Sequence, residues 1–320
     1  MIAYIVRRVL WGIAMLVAVS AITFAIFYLL PSGDPAQLRA GPRASPALVA
    51  SVRHELQLDD PIWKQFARYM WRVFTRFDFG RSFQHDTSVR DDILSRLPAT
   101  ISLTVGAAVL WLAVAGVVGT VSALKRRTLV DRLAMGASLV VLSAPVYWLG
   151  LLMLYLLADD VGRIKLLPGV GSYVPLTQDP WGWFTSLLMP WAVLAASFSA
   201  VYARLWRQGL IHTLGQDYIR TARAKGLSER VVIGRHALRG AATPLVTLFG
   251  LDLGVLLGGA ILVEDVFNIP GVGRYGYDAV RRLDLPSIQG TVLFAAFFII
   301  VMNLIVDIAY AFLDPRVRYG

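Results

Sequence analysis

Residues 9–30 read VLWGIAMLVAVSAITFAIFYLL, a stretch without one charged side chain. A helix needs about 20 apolar residues to cross a bilayer, so this stretch predicts a membrane-spanning helix. Arg7 and Arg8 precede it, as basic residues precede a secretory signal. The apolar run is too long for a signal core, so we expect a retained membrane anchor rather than a cleaved signal.

Five further stretches have the same character, and the overall composition agrees with them. Of the 320 residues, 57% are hydrophobic and only 16% are charged, whereas soluble proteins carry about 25% charged residues. The sequence therefore predicts an all-α integral membrane protein with six transmembrane helices. The predicted spans are residues 9–30, 99–124, 133–157, 187–206, 242–264 and 290–312.

Three regions follow from these spans. Residues 1–30 form an N-terminal tail and the first helix, 31–98 an extracytoplasmic segment, and 99–320 a core of five helices with a long loop at 207–241. The 31–98 segment is itself expected to be helical. Ser45 and Pro46 are typical of a helix start, and apolar residues recur at helical spacing over 62–77.

The basic residues indicate the orientation of the chain. The net charge is +10, and most of it falls in the short segments on the same side as the N-terminus. Basic loops stay in the cytoplasm, so both termini and the 207–241 loop are predicted to be cytoplasmic. Because the charge is spread over four short segments rather than one soluble face, no nucleic-acid partner is expected.

Several kinds of chemistry are excluded by the residues themselves. The chain has no cysteine, which removes disulfides, thiolate metal sites and a cysteine nucleophile. No lysine follows a glycine, so there is no P-loop for ATP. The four histidines fall in separate segments, so a shared metal site is not expected. We predict no catalytic residue, no metal ligand and no cofactor bound by this chain.

Residues 271–276, GVGRYG, match the dinucleotide-binding fingerprint literally. That fingerprint requires a strand before it and a helix after it. Here the run follows Pro270 between two predicted spans, so a nucleotide site is rejected. A tight external turn is the expected structure, because proline and glycine favour turns.

The 216–239 stretch is polar and basic, with helical spacing interrupted at Gly226. It predicts two short helices with Gly226 at the corner and Ser228 capping the second helix. The preference for basic residues in cytoplasmic loops explains the charge of this stretch but not its pattern of helix, glycine and helix. The stretch therefore predicts a docking site for a cytoplasmic partner.

Within the fifth span, Gly250, Gly254 and Gly258 repeat at four-residue intervals and predict a helix-packing seam. Asp252 lies about 200° round the helix from Gly250 and faces away from that seam. Two hypotheses stay open for it: a pathway residue that attracts cationic groups, or a buried structural acid. Pro145 interrupts the third span and predicts a kink.

Residues 215–228, GQDYIRTARAKGLS, followed by Arg235-His236-Ala237-Leu238, resemble the EAA loop of binding-protein-dependent ABC importer permeases of the dipeptide and oligopeptide branch. Arg220 and Thr221 stand where the general pattern has Glu and Ala. Supporting motifs are LPAT at 97–100, PVYWLG at 145–150, PGVGR at 270–274 and LDPR at 313–316.

The resemblance implies a type I ABC importer-like bundle in the bacterial inner membrane. Its partners would be a homologous second permease, two ATPase subunits that bind ATP and Mg, an external substrate-binding protein, the peptide substrate and membrane lipid. Asp252 and Pro145 are candidate residues of the translocation pathway, and related chains often have an amide where Asp252 stands, which leaves the charge preference of the substrate open. Pro270, Gly271, Gly273 and Arg274 would form an external gate or contact the binding protein. The ATPase-coupling residues would be Asp217, Tyr218, Arg220, Thr221, Ala222, Arg223, Ala224, Lys225, Gly226, Leu227 and Ser228.

Other functions compete with peptide import. The same architecture serves importers of nickel, glutathione or another small solute. An ion-gradient-driven secondary transporter should show paired intramembrane acids or broken helices in related halves, and an intramembrane enzyme should show convergent catalytic groups. Within the predicted spans, Asp252 is the main candidate for a functional polar residue. This single acid favours neither a secondary transporter nor an intramembrane enzyme.

Overall fold

The computed structural model describes residues 2–28, 34–41 and 43–313. These residues are mainly helical, and the only strand-like pairings among them are two isolated bridges, Arg81 with Ser88 and Ala158 with Leu167. By length and composition, four helices among the described residues can cross a membrane, and the number is six if each of two bent helix pairs is one span. The four are α1 (Ile2–Tyr28), α5 (Val89–Leu124), α8 (Pro180–Leu214) and α14 (Leu285–Leu313).

The third predicted span is bent sharply. Helix α6 (Leu129–Ser143) meets α7 (Val146–Leu157) at an angle of 100°. Pro145 lacks the N–H that would continue the first helix, and Ala144 before it is extended, with ψ 127°. The kink predicted at Pro145 is therefore a break between two helices.

The fifth predicted span ends early, so its prediction as 242–264 is wrong at the C-terminal end. Helix α11 (Leu238–Leu257) stops before a glycine pair, and a short helix α12 (Ile261–Val266) follows. Gly259 has φ +134°, and a Cβ there would lie 2.4 Å from the Cα of Gly273. Only glycine allows this backbone conformation and this close approach.

Two other helices extend well beyond their predicted spans. Helix α5 begins ten residues before residue 99 and passes through Pro98, and α8 continues eight residues past 206. These extensions are polar, so hydropathy does not reveal them. The predicted boundary at residue 98 thus falls inside a continuous helix, and LDPR at 313–316 lies outside the described residues from Asp314 onward.

The described residues fall into two units. The first takes residues from 1–100, 254–261 and 270–304. Phe24 of α1 packs there with Tyr69, Val73 and Leu293, which confirms the predicted amphipathic helix in the 62–77 region. Ser45 caps its helix as predicted, accepting a hydrogen bond from the Leu48 N–H at 3.3 Å. The short helices of this unit are α2 (Pro35–Ala40), α3 (Pro46–Glu55), α4 (Ile62–Arg76) and α13 (Val272–Arg282).

The second unit takes residues from 101–253, 262–269 and 305–320. Its centre is an aromatic group around Trp111, whose ring centroid lies 4.8 Å from Phe198 and 5.9 Å from Tyr202 and Phe249. The unit also contains α9 (Asp217–Ala224) and α10 (Glu229–Val231), followed by a π-helical turn, Val232–Ala237. Trp111 is fully buried, so the group is a packed core rather than an open cage.

Candidate functional site

The 215–241 segment folds as helix, glycine turn and helix. After α8 ends at Leu214, α9 runs to Ala224, the chain turns at Gly226, and α10 begins after Ser228. Ser228 stands at the predicted N-cap position, but its side chain makes no capping hydrogen bond. Gly226 has φ +77°, and no atom lies within 4 Å of the position that a Cβ would take. Glycine is therefore needed here for its backbone conformation and not for space.

One face of this segment is fixed to the helix bundle. Ile219 of α9 and Val232 of the π-helical turn are fully buried, and Ala222 is nearly so. They share one apolar cluster with residues from α5, α8 and α11. Helix α9 therefore cannot move unless these helices move with it. The cluster consists of Ala123, Leu210, Ile219, Ala222, Val232, Ala237 and Ala241.

The opposite face is exposed. Of the eleven residues predicted for this loop, only Ala222 is buried. Tyr218 and Leu227 expose apolar surface beside the basic side chains of Arg220 and Lys225. Exposed aromatic and arginine side chains of this kind are typical of protein contact surfaces.

An ion pair braces the turn. Arg223 before Gly226 and Glu229 after it approach to 2.8 Å between Nη2 and Oε1. Both side chains are about half exposed, and exposed pairs contribute only about 0–1 kcal/mol. The turn is therefore held mainly by the buried cluster.

A bidentate ion pair between Asp131 and Arg207, called the clamp below, was not predicted from the sequence. Asp131 of α6 accepts two hydrogen bonds from Arg207 of α8, both at 2.7 Å, and others from the Ser122 hydroxyl and the Arg127 N–H. The bidentate geometry fixes α6 against α8 at the start of the 207–241 segment. The feature of the sequence that could have indicated this ion pair is Asp131 itself, an acid in an otherwise basic stretch.

Asp252 has a partner in the second unit. Tyr202 of α8 donates a hydrogen bond to its Oδ2 at 2.6 Å, and Tyr202 is held in the aromatic group by Trp111. The Asp252 carboxylate is half-buried and keeps some exposure. A hydrogen-bonded but accessible acid fits both hypotheses that the sequence left open.

The glycines of the predicted seam are at close-packed positions. A Cβ on Gly254 would lie 3.0 Å from the Cα of Ile299, and a Cβ on Gly258 would lie 2.8 Å from the Cβ of Ala295, both on α14. Gly250 is buried. Gly254 and Gly258 thus let the end of α11 approach α14 closely.

Residues 270–274 do not form the tight turn that was expected. Gly271 is the N-cap of α13, and Gly273 and Arg274 lie in its first turn. The Val272 N–H donates to Thr100 Oγ1 at 2.9 Å. The expectation failed because Tyr275 and Ala279, four residues apart, are both buried and so favour a helix.

A buried polar network holds α13 in the first unit. The Tyr275 hydroxyl lies 3.2 Å from Asp92 Oδ2 and 2.7 Å from Ser287 Oγ, and Ser287 donates to Asp284. Ser82 also donates to Asp284. Burial, aided by the two carboxylates, raises the pKa of Tyr275 to about 12, so its hydroxyl stays protonated at neutral pH.

Beside this network is a cavity of about 300 Å³. Its lining contains Arg96, Arg274 and Arg282 together with the acids Asp278 and Asp284, and Arg96 also stacks 4.5 Å above the Tyr275 ring. With three guanidinium groups and two carboxylates, the cavity is of mixed charge and can pair with polar groups of another molecule. The described residues contain no group of three metal-binding side chains.

The fold and the site define a multi-pass membrane protein with a helical segment that has one anchored and one exposed face. Comparison with known proteins gives the family. The chain belongs to the binding-protein-dependent transport system inner membrane components: that family's model matches residues 115–319, and the model of its N-terminal region matches residues 1–104. The predicted fold class, an all-α membrane protein of the type I importer class, is thereby confirmed.

Similar proteins cover the whole chain. A putative peptide transport system permease protein of Brucella abortus is 40% identical over 319 residues. A dipeptide transport system permease protein of Alkalihalophilus pseudofirmus is 36% identical over 335 residues. A glutathione transport system permease protein of Salmonella paratyphi A is 40% identical over 320 residues. Each alignment spans 100% of both chains.

Proposed function

We propose that this chain is the permease subunit of an ATP-driven importer of dipeptides and oligopeptides, and that it forms half of the translocation pathway. The peptide and dipeptide permeases that match it along its full length support this substrate class. The observation that carries the proposal is the two-faced 215–241 segment, whose inner face is buried in the bundle.

In this proposal the exposed face of the segment contacts a cytoplasmic ATPase. Tyr218, Leu227 and the neighbouring basic residues are the contact residues. Closing of the ATPase dimer would displace α9, and the buried cluster would pass the displacement to α5, α8 and α11. ATP then shifts the populations of inward-facing and outward-facing states, because the ATPase dimer binds one state more tightly.

The remaining partners follow from the same role. The chain itself is non-catalytic and binds no cofactor, and ATP and Mg are bound by two separate ATPase subunits. A homologous second permease completes the pathway, and both termini face the cytoplasm, in agreement with the basic segments on that side. An external binding protein delivers the peptide.

Residues on the pathway and at the external end have distinct parts in this proposal. Asp252, accessible and oriented by Tyr202, attracts the cationic groups of peptides in the pathway. The break at Pro145 allows α6 and α7 to take different directions. Gly271 and Arg274, with Pro270 and Gly273, form the external gate or contact the binding protein, beside a cavity lined by both arginines and aspartates.

A second candidate substrate is glutathione. The glutathione permease matches this chain as closely as the peptide permeases do, and glutathione is itself a modified tripeptide. The architecture serves either substrate, so competition between glutathione and dipeptides for uptake separates the two.

Purification of the tagged chain from its native membrane in mild detergent tests the proposal. We expect a second permease and two ATPases to remain bound, with ATP hydrolysis stimulated by a peptide-loaded binding protein. A solitary chain that moves solute across liposomes without an ATPase would contradict the proposal and favour a gradient-driven transporter.

A further inference from the structure

The first unit contains an apolar groove of about 490 Å³. Helices α1, α4, α5 and α14 contribute to its walls, through side chains such as Leu16, Phe74, Leu94 and Phe297. Among the described residues, Arg90 is the only charged one in its lining. A long apolar groove with one cation is distinct from the pathway and gate considered above.

The lining of the groove reaches into the predicted membrane spans. Leu16 lies within the predicted span 9–30, and Phe297 lies within the predicted span 290–312. Arg90 precedes the predicted span that begins at residue 99, on its extracytoplasmic side. The groove therefore leads from the external side of the membrane into its apolar interior.

Helix α4 has the features of a helix at the membrane interface. Trp63 and Trp71 are 72% and 65% exposed, and exposed tryptophans concentrate at the level of the lipid headgroups. Phe77, which ends α4, has φ +51° and is also exposed. That left-handed conformation is unusual for a bulky residue, and it places Phe77 in the wall of the groove.

The charge in the lining of the groove is positive. Arg90 is exposed, and among the described residues neither it nor Arg76 of α4 has an ion-pair partner. Lys64 and Arg68, by contrast, both pair with Asp60. The acids that follow Arg90 in the sequence do not line the groove. The site therefore favours an anionic group at its entrance.

We propose that this groove binds one acyl chain of an anionic phospholipid, with the lipid phosphate at Arg90. The apolar lining within the predicted spans and the cation on their external side fit a lipid in that orientation. A helix of a partner subunit would also cover apolar surface, but it would have no need for a cation at the interface. The lipid holds α4 against α1 and α14.

Native mass spectrometry of the full chain, purified with phosphatidylglycerol and then washed with detergent, tests the proposal. We expect the chain to retain phosphatidylglycerol, and Ile13→Trp, which fills the groove, to remove it. Ile22→Trp is the matched control, because Ile22 is an exposed residue of the same helix outside the groove. Equal retention by the wild type and Ile13→Trp would overturn the proposal.

The headgroup part of the proposal has its own test. Arg90→Gln should lower the preference for phosphatidylglycerol over phosphatidylethanolamine about fivefold, the change that corresponds to about 1 kcal/mol. Arg90→Lys should restore the preference, because it restores the charge. An unchanged preference in Arg90→Gln would contradict the role of this residue.

A photo-crosslinker at Leu94 distinguishes the other possible occupant. In the assembled transporter we expect crosslinks from this position to phospholipid. Crosslinks to a second permease, without lipid products, would show that a protein helix covers the groove and would overturn the proposal.

Discussion

Asp252 is the residue whose role depends most on its surroundings. The hydrogen bond from Tyr202 orients one carboxylate oxygen, while the residue keeps some exposure. We expect Asp252→Asn to reduce uptake of lysine-containing peptides about tenfold and to leave neutral peptides unchanged, since tenfold corresponds to the loss of about 1.4 kcal/mol of attraction. Competition uptake assays with matched peptides measure this.

Tyr202→Phe is the control for that experiment, because it removes the hydrogen bond and keeps the charge. It should retain the preference for cationic peptides. If Asp252→Asn lowers uptake of all peptides equally, or of none, Asp252 is a structural acid and the pathway hypothesis is wrong.

The clamp between Asp131 and Arg207 is expected to support the stability of the second unit. Asp131→Asn leaves Arg207 without its bidentate partner and should lower the midpoint of thermal unfolding by several degrees. Arg207→Lys should have an intermediate effect, because lysine cannot form the two parallel hydrogen bonds. Thermal denaturation in detergent measures both.

Glu229→Gln is the control for Asp131→Asn. It removes one partner of the ion pair with Arg223, whose side chains are exposed, so little change is expected. A loss of stability as large as that of Asp131→Asn would show that the clamp has no special importance.

At the scale of helices, the sequence predicts the features that depend on local composition, namely the apolar helix interiors and the break at a proline. The apolar interiors of α1, α5, α8 and α14 are visible as runs of uncharged residues, and Pro145 marks the break between α6 and α7. The polar ends of α5 and α8 cannot be predicted in this way, because they are stabilised by tertiary packing and capping rather than by hydropathy.

The 215–241 segment illustrates the same limit at the candidate site. Gly226 and the helical spacing over 216–239 predict two helices and a turn, since both signals are local. The pairing of Asp131 with Arg207, 76 residues apart, depends on how α6 and α8 pack. Such a contact cannot be read from one sequence.

At the scale of the whole molecule, the proposal requires that one chain forms half of the pathway and also responds to an ATPase on a separate subunit. The 215–241 segment is the only described region in which a largely exposed, basic helix-turn-helix is anchored by a core shared with α5, α8 and α11. The turn at Gly226 sets the angle between its two helices. Coupling should therefore depend on the backbone at this residue.

The measurement that tests the central claim most directly is the amount of peptide transported per ATP hydrolysed by the assembled transporter in proteoliposomes, for two substitutions at Gly226. Asparagine tolerates φ +77° and valine does not, while neither side chain meets a neighbouring atom at the Cβ position. We predict near-normal coupling for Gly226→Asn. For Gly226→Val we predict normal membrane insertion and continued hydrolysis, with transport per ATP lowered about tenfold, a change of about 1.4 kcal/mol. A wild-type ratio in Gly226→Val would contradict the account.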